Sequence, residues 1–306
     1  MLWLKPVDSK YYYQRPCMNK SYYTLGIDWE DFSQNLLWKK NNTLIHPDDR
    51  IDRQTNILIE LLNEADIKAT FFVSAALAQY TPALVKRIAT YGHEIGLHGY
   101  HHVSYKTLTP EQAYREVSEG IKIVSDIISQ KIHGFRAPYC SIDYNDNDVL
   151  EILADLNFLY DSSMFNRKLI CKQSYPGEDI VLNLNNGRKI VELPLATFKA
   201  GGVNIPIAGG SYWRVVPGIL LREIHKRLSK TGKANNLYMH PYELDPSPLN
   251  IHHDLFKESP FRLIKNSIAQ FRWNFNRKSF KKNLISMVAK YNFITCYEKA
   301  IKIQKS

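Results

Sequence analysis

Apolar residues along the chain alternate between two spacings, one typical of buried strands and one typical of amphipathic helices. Short β-rich runs at residues 22–27 and 68–73 alternate with stretches such as residues 51–65, where apolar side chains recur at helical spacing. Thr109 is expected to cap a helix that has Pro110 in its first turn and a glutamine three residues after the cap. Repeated strand–helix units of this kind predict a parallel α/β architecture.

The same pattern predicts further elements towards the C-terminus, with polar residues at the ends of several strands. Additional helices are expected at residues 82–92, 109–128, 148–156 and 280–291, and strands at residues 94–98, 134–136, 158–161, 191–194, 236–240 and 292–296. Active sites of α/β barrels lie at the C-terminal ends of the strands. Five polar residues occupy such ends and predict one shared site: Asp28, His98, Arg136, Asp161 and His240.

Two clusters have the composition of a metal centre with a nearby base. If the first strand persists through residue 30, its two-residue period places Asp28 and Glu30 on one face. Two carboxylates aimed at one point repel each other unless a cation or a shared proton compensates, so a metal and a base role account for both. His98 and His102 have the spacing of a ligand pair, which together with one carboxylate suits Zn²⁺, although Co²⁺, Ni²⁺ or Mn²⁺ would also fit. Glu30 is the favoured carboxylate ligand from the same-face argument, and Asp31 is its rival.

Four later residues complete the candidate catalytic set. Arg136 can hold Asp28 through a charge-assisted hydrogen bond that keeps this carboxylate anionic. The backbone N–H of Tyr139, which follows a proline, is a candidate donor to an oxyanion. His240 can protonate a leaving amine, and Asp161 is a candidate partner that orients its imidazole.

Length and composition are those of a folded globular protein of 306 residues. We expect one catalytic domain made of an N-terminal segment at residues 1–20, a core at 21–248 and a basic helical portion at 249–306. The four cysteines are scattered, and the N-terminus lacks the apolar run of a signal peptide, so we expect reduced thiols and a cytoplasmic location.

The net charge of +10 is concentrated at one end of the chain. Residues 257–306 contain twelve Lys or Arg and two acids, so residues 1–256 carry no net charge. A basic end of this kind indicates an anionic phosphate carrier or an anionic membrane surface, here the inner face, as a partner, or else a solvated helix face. No recognition-domain signature is present, so nucleic acid is not an expected partner.

In its motifs the chain resembles the polysaccharide deacetylase family, also called carbohydrate esterase family four or the NodB-homology domain. The resemblance rests on ordered motifs at residues 27–31, 92–102, 135–139, 160–163 and 239–246, and residues 70–73 and 209–214 resemble the subgroup found in exopolysaccharide gene clusters. It implies a distorted (β/α)7-type barrel with parallel strands and an active site at their C-terminal ends.

The resemblance also implies an activity and a role for each matched residue. The activity is metal-dependent hydrolysis of an N-acetyl group on a sugar of a polysaccharide or glycolipid precursor. Asp28 matches the base, Arg136 the residue that positions it, His240 the acid and Asp161 the residue that tunes the acid. The matched metal ligands are His98, His102 and an acid from the pair Glu30 and Asp31.

Two other functions are consistent with the same residues. One is hydrolysis of a cyclic amide, imide or ureide on the same fold, and the other is a catalytically silent glycan-binding protein. The aromatic residues Tyr139, Tyr212 and Trp213 would suit stacking on a sugar or on a planar heterocycle. Intact candidates for base, metal and acid weigh against a silent protein.

Overall fold

Parallel strands form the centre of the protein in the computed structural model, which describes residues 13–14, 22–35, 46–166, 177–201, 203–231, 234–245, 247–249 and 260–305. The strands are β1 (Tyr13–Gln14), β2 (Thr24–Trp29), β3 (Thr70–Val73), β4 (Glu94–Leu97), β5 (Gly134–Phe135), β6 (Tyr160–Asp161), β7 (Ile180–Asn183), β8 (Lys189–Glu192), β9 (Thr197–Ala200), β10 (Val203–Pro206) and β11 (Asn236–Met239).

Seven of these strands are parallel and run in the order β8-β6-β5-β4-β3-β2-β11. The segment after β8 closes the ring, since Leu195 forms a parallel bridge with Asn236 at the start of β11. Strands β7 and β1 extend the sheet in antiparallel fashion beyond β8, and β9 pairs with β10 as a separate hairpin. The predicted (β/α)7-type barrel is therefore confirmed.

Helices cover the outside of the ring. They are α1 (Arg50–Glu64), α2 (Ala75–Tyr80), α3 (Pro82–Thr90), α4 (Pro110–Ile128), α5 (Asn147–Asp155), α6 (Tyr212–Val215), α7 (Gly218–Leu228), α8 (Pro260–Asn274), α9 (Arg277–Val288) and α10 (Cys296–Gln304). Short 3₁₀ turns lie at Tyr105–Thr107, Pro138–Cys140 and Pro241–Glu243. Within the described part of the chain, the helices are all too short or too polar to cross a lipid bilayer.

The capping signal read from the sequence at Thr109 is present in the structure. Its side chain accepts a hydrogen bond from the backbone N–H of Gln112, and the Gln112 side chain accepts from the Thr109 backbone N–H, which satisfies two donors at the start of α4. Apolar residues on the inner face of α4, including Val117 and Val124, pack into the continuous core between the ring and its helices.

The last predicted strand, at residues 292–296, is wrong beyond one bridge between Tyr23 and Phe293. Thr295 instead caps α10, because its hydroxyl accepts from the Glu298 N–H while the Glu298 carboxylate accepts from the Thr295 N–H. The β-rich composition of this segment hides the capping box that the Thr295–Glu298 spacing encodes. The sequence reading also missed α2, α6 and α7.

Helix α10 seals the end of the barrel where β11 begins. The buried Lys299 ammonium lies 2.8 Å from the Asp179 carboxylate and donates a hydrogen bond to the Asn236 side-chain oxygen. Removing one partner would leave an uncompensated buried charge, which typically costs about 3–5 kcal/mol. Cys296 and Cys140 carry free thiols, and Cys17 and Cys171 lie outside the described residues.

Candidate active site

Strand β2 places two carboxylates at the mouth of the barrel. Alternation along the strand turns Trp29 to the opposite side, where its indole N–H donates to Thr55 on α1. Asp28 and Glu30 consequently lie on the site side, and both are almost fully buried. The predicted same-face arrangement is present.

Glu30, His98 and His102 converge at one point. One ligand atom from each lies within 4.8 Å of the other two. The Glu30 Oε2 atom is 2.7 Å from His102 Nε2 and 3.8 Å from His98 Nε2. This buried oxygen nevertheless makes no hydrogen bond of acceptable geometry with the described residues.

The chemistry of this donor set fits a divalent metal. Burial lowers the pKa of His98 to about 4, so its imidazole is neutral at physiological pH. Its Nδ1 atom lies 2.7 Å from the Arg136 carbonyl oxygen, which can only accept, so the proton is on Nδ1 and the Nε2 lone pair faces Glu30. Burial alone would raise the pKa of Glu30, but His102 and His240 outweigh it and lower the pKa to about 2. Two imidazoles and a carboxylate suit zinc or a similar ion.

Asp31 lies outside this cluster. Its Oδ1 atom accepts a 2.7 Å hydrogen bond from the Gln34 backbone N–H, which fixes the helical turn at residues 32–35. Burial raises the pKa of Asp31 to about 6. Of the two carboxylates that the sequence left open as ligands, Glu30 is the one that the structure brings to the imidazoles.

Arg136 reaches across the barrel to Asp28, as predicted. Its Nη1 donates to Asp28 Oδ1 at 2.8 Å, while Nε and Nη2 donate to the backbone and hydroxyl oxygens of Ser162. The guanidinium carbon also lies 4.2 Å from the centre of the Phe72 ring. Gly26 makes this possible, because a Cβ there would collide with the guanidinium.

Tyr139 forms part of the rim of the site. It adopts a left-handed backbone conformation with φ of 59°, and its ring packs edge-on against His102 at 4.4 Å. Backbone strain of this kind clusters at functional sites. Its side chain is 38% exposed, whereas Trp213 is buried and donates its indole N–H to the Ile207 carbonyl. Trp213 is therefore a core residue and offers no stacking surface.

His240 follows β11 and faces Glu30 from the other side. Its Nε2 lies 3.5 Å from Glu30 Oε1, and its Nδ1 lies 3.8 Å from Glu243 Oε2. Burial would lower the pKa of His240, but Glu30 and Glu243 raise it to about 9, which favours the protonated form. The sequence reading missed Glu243, although its position three residues after His240 is the spacing of a capping box, and its carboxylate accepts from the His240 backbone N–H.

Asp161 is held by neighbours other than His240. Its carboxylate accepts from the hydroxyl and backbone N–H of Ser163, and the Ser163 hydroxyl accepts from the Ala137 N–H at the start of the Tyr139 turn. Glu192 is the register partner of Asp161 on β8, and both are fully buried. Burial raises the pKa of both carboxyls. Asp161 raises the pKa of Glu192 further, whereas the hydrogen bond with Glu192 lowers that of Asp161, so Glu192 is the carboxyl that keeps the proton. In the described structure the carboxylates beside the His240 imidazole are thus Glu30 and Glu243, and Glu243 is the one on its Nδ1 side.

Two family models together match most of the chain. Residues 40–160 match the model described as polysaccharide deacetylase, and residues 162–300 match a domain of unknown function. Together they cover the strands and helices that carry His98, Arg136 and His240.

Curated proteins with similar sequences include two fungal ones. The chain is 34% identical to chitin deacetylase 1 of Cryptococcus neoformans var. grubii over 89 residues, which are 29% of this chain and 19% of that protein. It is 32% identical to a peptidoglycan deacetylase-like protein of Gibberella zeae over 109 residues, 35% of this chain and 31% of that protein. The matches thus span between a fifth and a third of the relatives' own lengths.

A solved structure from Mycobacterium smegmatis has the same fold. That protein, assigned to the polysaccharide deacetylases, superimposes with a TM-score of 0.59 at 20% identity and covers 95% of this chain and 94% of its own.

Proposed function

Because the chain belongs to the polysaccharide deacetylase family, we propose that it hydrolyses the N-acetyl group of an acetamido sugar in a polysaccharide or glycolipid precursor. One observation carries the proposal. Glu30, His98 and His102 converge between two further groups, the Asp28–Arg136 pair and His240. Hydrolysis of an amide needs a base on one side of the scissile bond and an acid on the other.

Glu30, His98 and His102 would hold a divalent ion, with Zn²⁺ the best match to the donor set. When bound, such an ion supplies Lewis-acid polarisation of the acetyl carbonyl and of the attacking water. The hydrogen bond between His98 Nδ1 and the Arg136 carbonyl fixes one ligand ring, so the site is oriented before any ion binds. Asp31 is assigned the structural role of holding the turn at residues 32–35.

Asp28 acts as the general base. Its carboxylate takes a proton from water as the water oxygen forms a bond to the acetyl carbon. The buried Arg136 guanidinium donates to Asp28 at 2.8 Å and orients its carboxylate for this step. The Tyr139 backbone N–H is proposed as a donor to the developing oxyanion.

His240 acts as the general acid. Breaking the carbon–nitrogen bond leaves an amine that must be protonated as it departs, and the imidazolium supplies that proton. Glu243 and Glu30 favour the charged imidazole, which is the form the step requires. The products are acetate and a free amino sugar. Asp161, through Ser163, positions the Ala137–Tyr139 turn that faces His102.

The proposed substrate is a nucleotide-linked or lipid-pyrophosphate-linked sugar in the cytoplasm, close to the inner membrane face. The excess of positive charge at residues 257–306 supports a phosphate-bearing or membrane-associated substrate.

Release of acetate from a panel of acetamido sugars, followed by mass spectrometry after addition of Zn²⁺, tests the activity. We expect a loss of one acetyl group from at least one sugar, and a reduction of about 10²–10⁴-fold in Asp28→Asn. Asp126→Asn, on the outer side of α4, is the matched control. The proposal is wrong if Asp28→Asn keeps near-normal turnover with its fold intact, or if only cyclic amides in the same panel are hydrolysed.

A further inference from the structure

Helix α8 presents an apolar stripe to solvent. Ile268, Phe271 and Arg272 on α8, with Phe275 directly after its last residue, recur at the spacing of one helical face. The three apolar side chains are between 41% and 65% exposed, and the rings of Phe271 and Phe275 lie 5.5 Å apart. Single exposed apolar residues are ordinary, but a contiguous aromatic row on a helix marks an interaction surface.

Helix α9, which follows α8 after Phe275 and Asn276, presents a basic stripe to solvent. Lys278, Lys281, Lys282 and Ile285 are exposed at the same helical spacing, while the opposite face of α9 packs into the core. The sequence contains no acid between Glu258 and Glu298. The charge of this helix pair is therefore uniformly positive.

The start of α7 presents two further exposed apolar residues. Ile219 and Leu220 are 78% and 50% exposed. They follow α6, which is fastened to the α8–α9 junction by hydrogen bonds from Arg214 to the Trp273 carbonyl and from Asn283 to the Trp213 carbonyl.

We name the exposed residues of these helices the basic–aromatic face. Its members are Ile219, Leu220, Ile268, Phe271, Arg272, Phe275, Lys278, Lys281, Lys282 and Ile285.

We propose that the basic–aromatic face docks on the surface of an anionic lipid bilayer. Helices that combine exposed aromatic and aliphatic side chains with lysine and arginine lie in the interfacial plane, with the apolar groups among the acyl chains and the cations at the headgroups. A second copy of the chain would bring like charges together, and an acidic polymer would leave Phe271 and Phe275 in water. An anionic bilayer satisfies both the charge and the apolar surface.

The face adjoins the candidate active site. The Trp273 ring of α8 packs edge-on against Phe32 at 5.1 Å and Tyr242 at 5.8 Å, and Tyr242 stacks on His240 at 4.9 Å. In a docked molecule, the contact between Trp273 and Tyr242 and the contact between Tyr242 and His240 would connect the membrane-facing helix α8 to the candidate active site. The consequence, which rests on the proposed function, is that the sugar is presented on a lipid carrier in the bilayer.

Vesicle co-sedimentation of the full chain tests the docking independently of catalysis. We expect binding to phosphatidylcholine vesicles containing about 30% phosphatidylglycerol, weakening with salt, and much weaker binding to phosphatidylcholine alone. Lys281→Gln/Lys282→Gln should lower the partition coefficient roughly 25-fold, about fivefold per lysine. Phe271→Ala/Phe275→Ala should weaken binding to both kinds of vesicle.

A matched control lies on α4, where Tyr114, Arg115 and Lys122 are exposed. Tyr114→Ala and Arg115→Gln/Lys122→Gln should bind as the unmodified chain does. Equal losses in these controls, or equal binding to neutral and anionic vesicles, would overturn the proposal. So would a concentration-dependent dimer in sedimentation velocity that Phe271→Ala/Phe275→Ala abolishes.

Acetate release from a water-soluble acetamido sugar separates this inference from the proposed function. If the face docks but no sugar is deacetylated, only the catalytic proposal fails. If a soluble sugar is deacetylated but the chain does not bind vesicles, only the docking proposal fails.

Discussion

Replacing Arg136 by methionine removes a buried charge while keeping a side chain of similar length. Asp28 would then be a buried carboxylate without its cation, and the two Ser162 oxygens would lose their guanidinium donors. Breaking a buried ion pair in this way costs about 3–5 kcal/mol. The free energy of unfolding of a native protein is about 5–15 kcal/mol, so the variant should still fold. Its midpoint of urea unfolding should be clearly lower.

A double-mutant cycle isolates the ion pair from the loss of packing. Asp28→Asn leaves Arg136 uncompensated, whereas Asp28→Asn combined with Arg136→Met leaves no buried charge at this point. The double variant should therefore cost less than the sum of the single variants, by about 2–3 kcal/mol.

Urea unfolding in the presence of a chelator provides the measurement, so that metal binding does not mask the difference. Arg115→Met on the surface of α4 is the control and should change the free energy of unfolding by no more than about 0.5 kcal/mol. If Arg136→Met costs no more than this control, or if the two single effects simply add, the buried pair does not stabilise the site as argued.

Three further predictions address the metal, the packing around the guanidinium and a buried carboxyl pair. Glu30→Gln should abolish the stabilisation by Zn²⁺, worth about 2.7 kcal/mol at a hundredfold excess over Kd, whereas Asp31→Asn should retain it in thermal unfolding. Gly26→Ala should push the Arg136 guanidinium aside and lower kcat about 10²-fold, and unchanged turnover would contradict the packing argument. The raised pKa of Glu192 means that its proton stabilises the fold below about pH 4.3, and that this stability is lost as the pH rises towards the folded-state value. Glu192→Gln should flatten the decline in the free energy of unfolding as the pH rises above about 4.3, measured by urea unfolding, and an equally steep decline in the variant would argue against a proton on Glu192.

The ends of the parallel strands were predictable because local pattern and sheet geometry agree there. The positions of Asp28 and Glu30 follow from a two-residue period, and His98 and Arg136 follow short segments that the sequence predicts as strands. Once strands are parallel and in register, residues at their ends share one edge of the barrel. The positions of Asp28 and Arg136 at the ends of parallel strands were therefore enough to predict their contact.

The sequence could not predict contacts that depend on the register of strands far apart along the chain. Glu192 meets Asp161 only because β8 lies next to β6, and a long stretch of chain separates the two strands. Glu243 is different, because its spacing from His240 carries a local signal that went unused. The same holds for Thr295 and Glu298, where a capping box was obscured by β-branched and aromatic neighbours.

The ring of strands is joined unevenly around its circumference. Four residue pairs are in register between β11 and β2, between β2 and β3, and between β3 and β4. The segments after β8 meet β11 only through two isolated bridges, at Leu195 and Gly209. Amide protons along this seam should exchange with deuterium sooner than those of the arc from β11 to β4. Asp28, Glu30, His98 and His240 lie on the strands of that arc or directly after them, so local opening at the seam would leave their spacing unchanged. The loops at the seam can therefore change in length or sequence without moving Asp28, Glu30, His98 or His240.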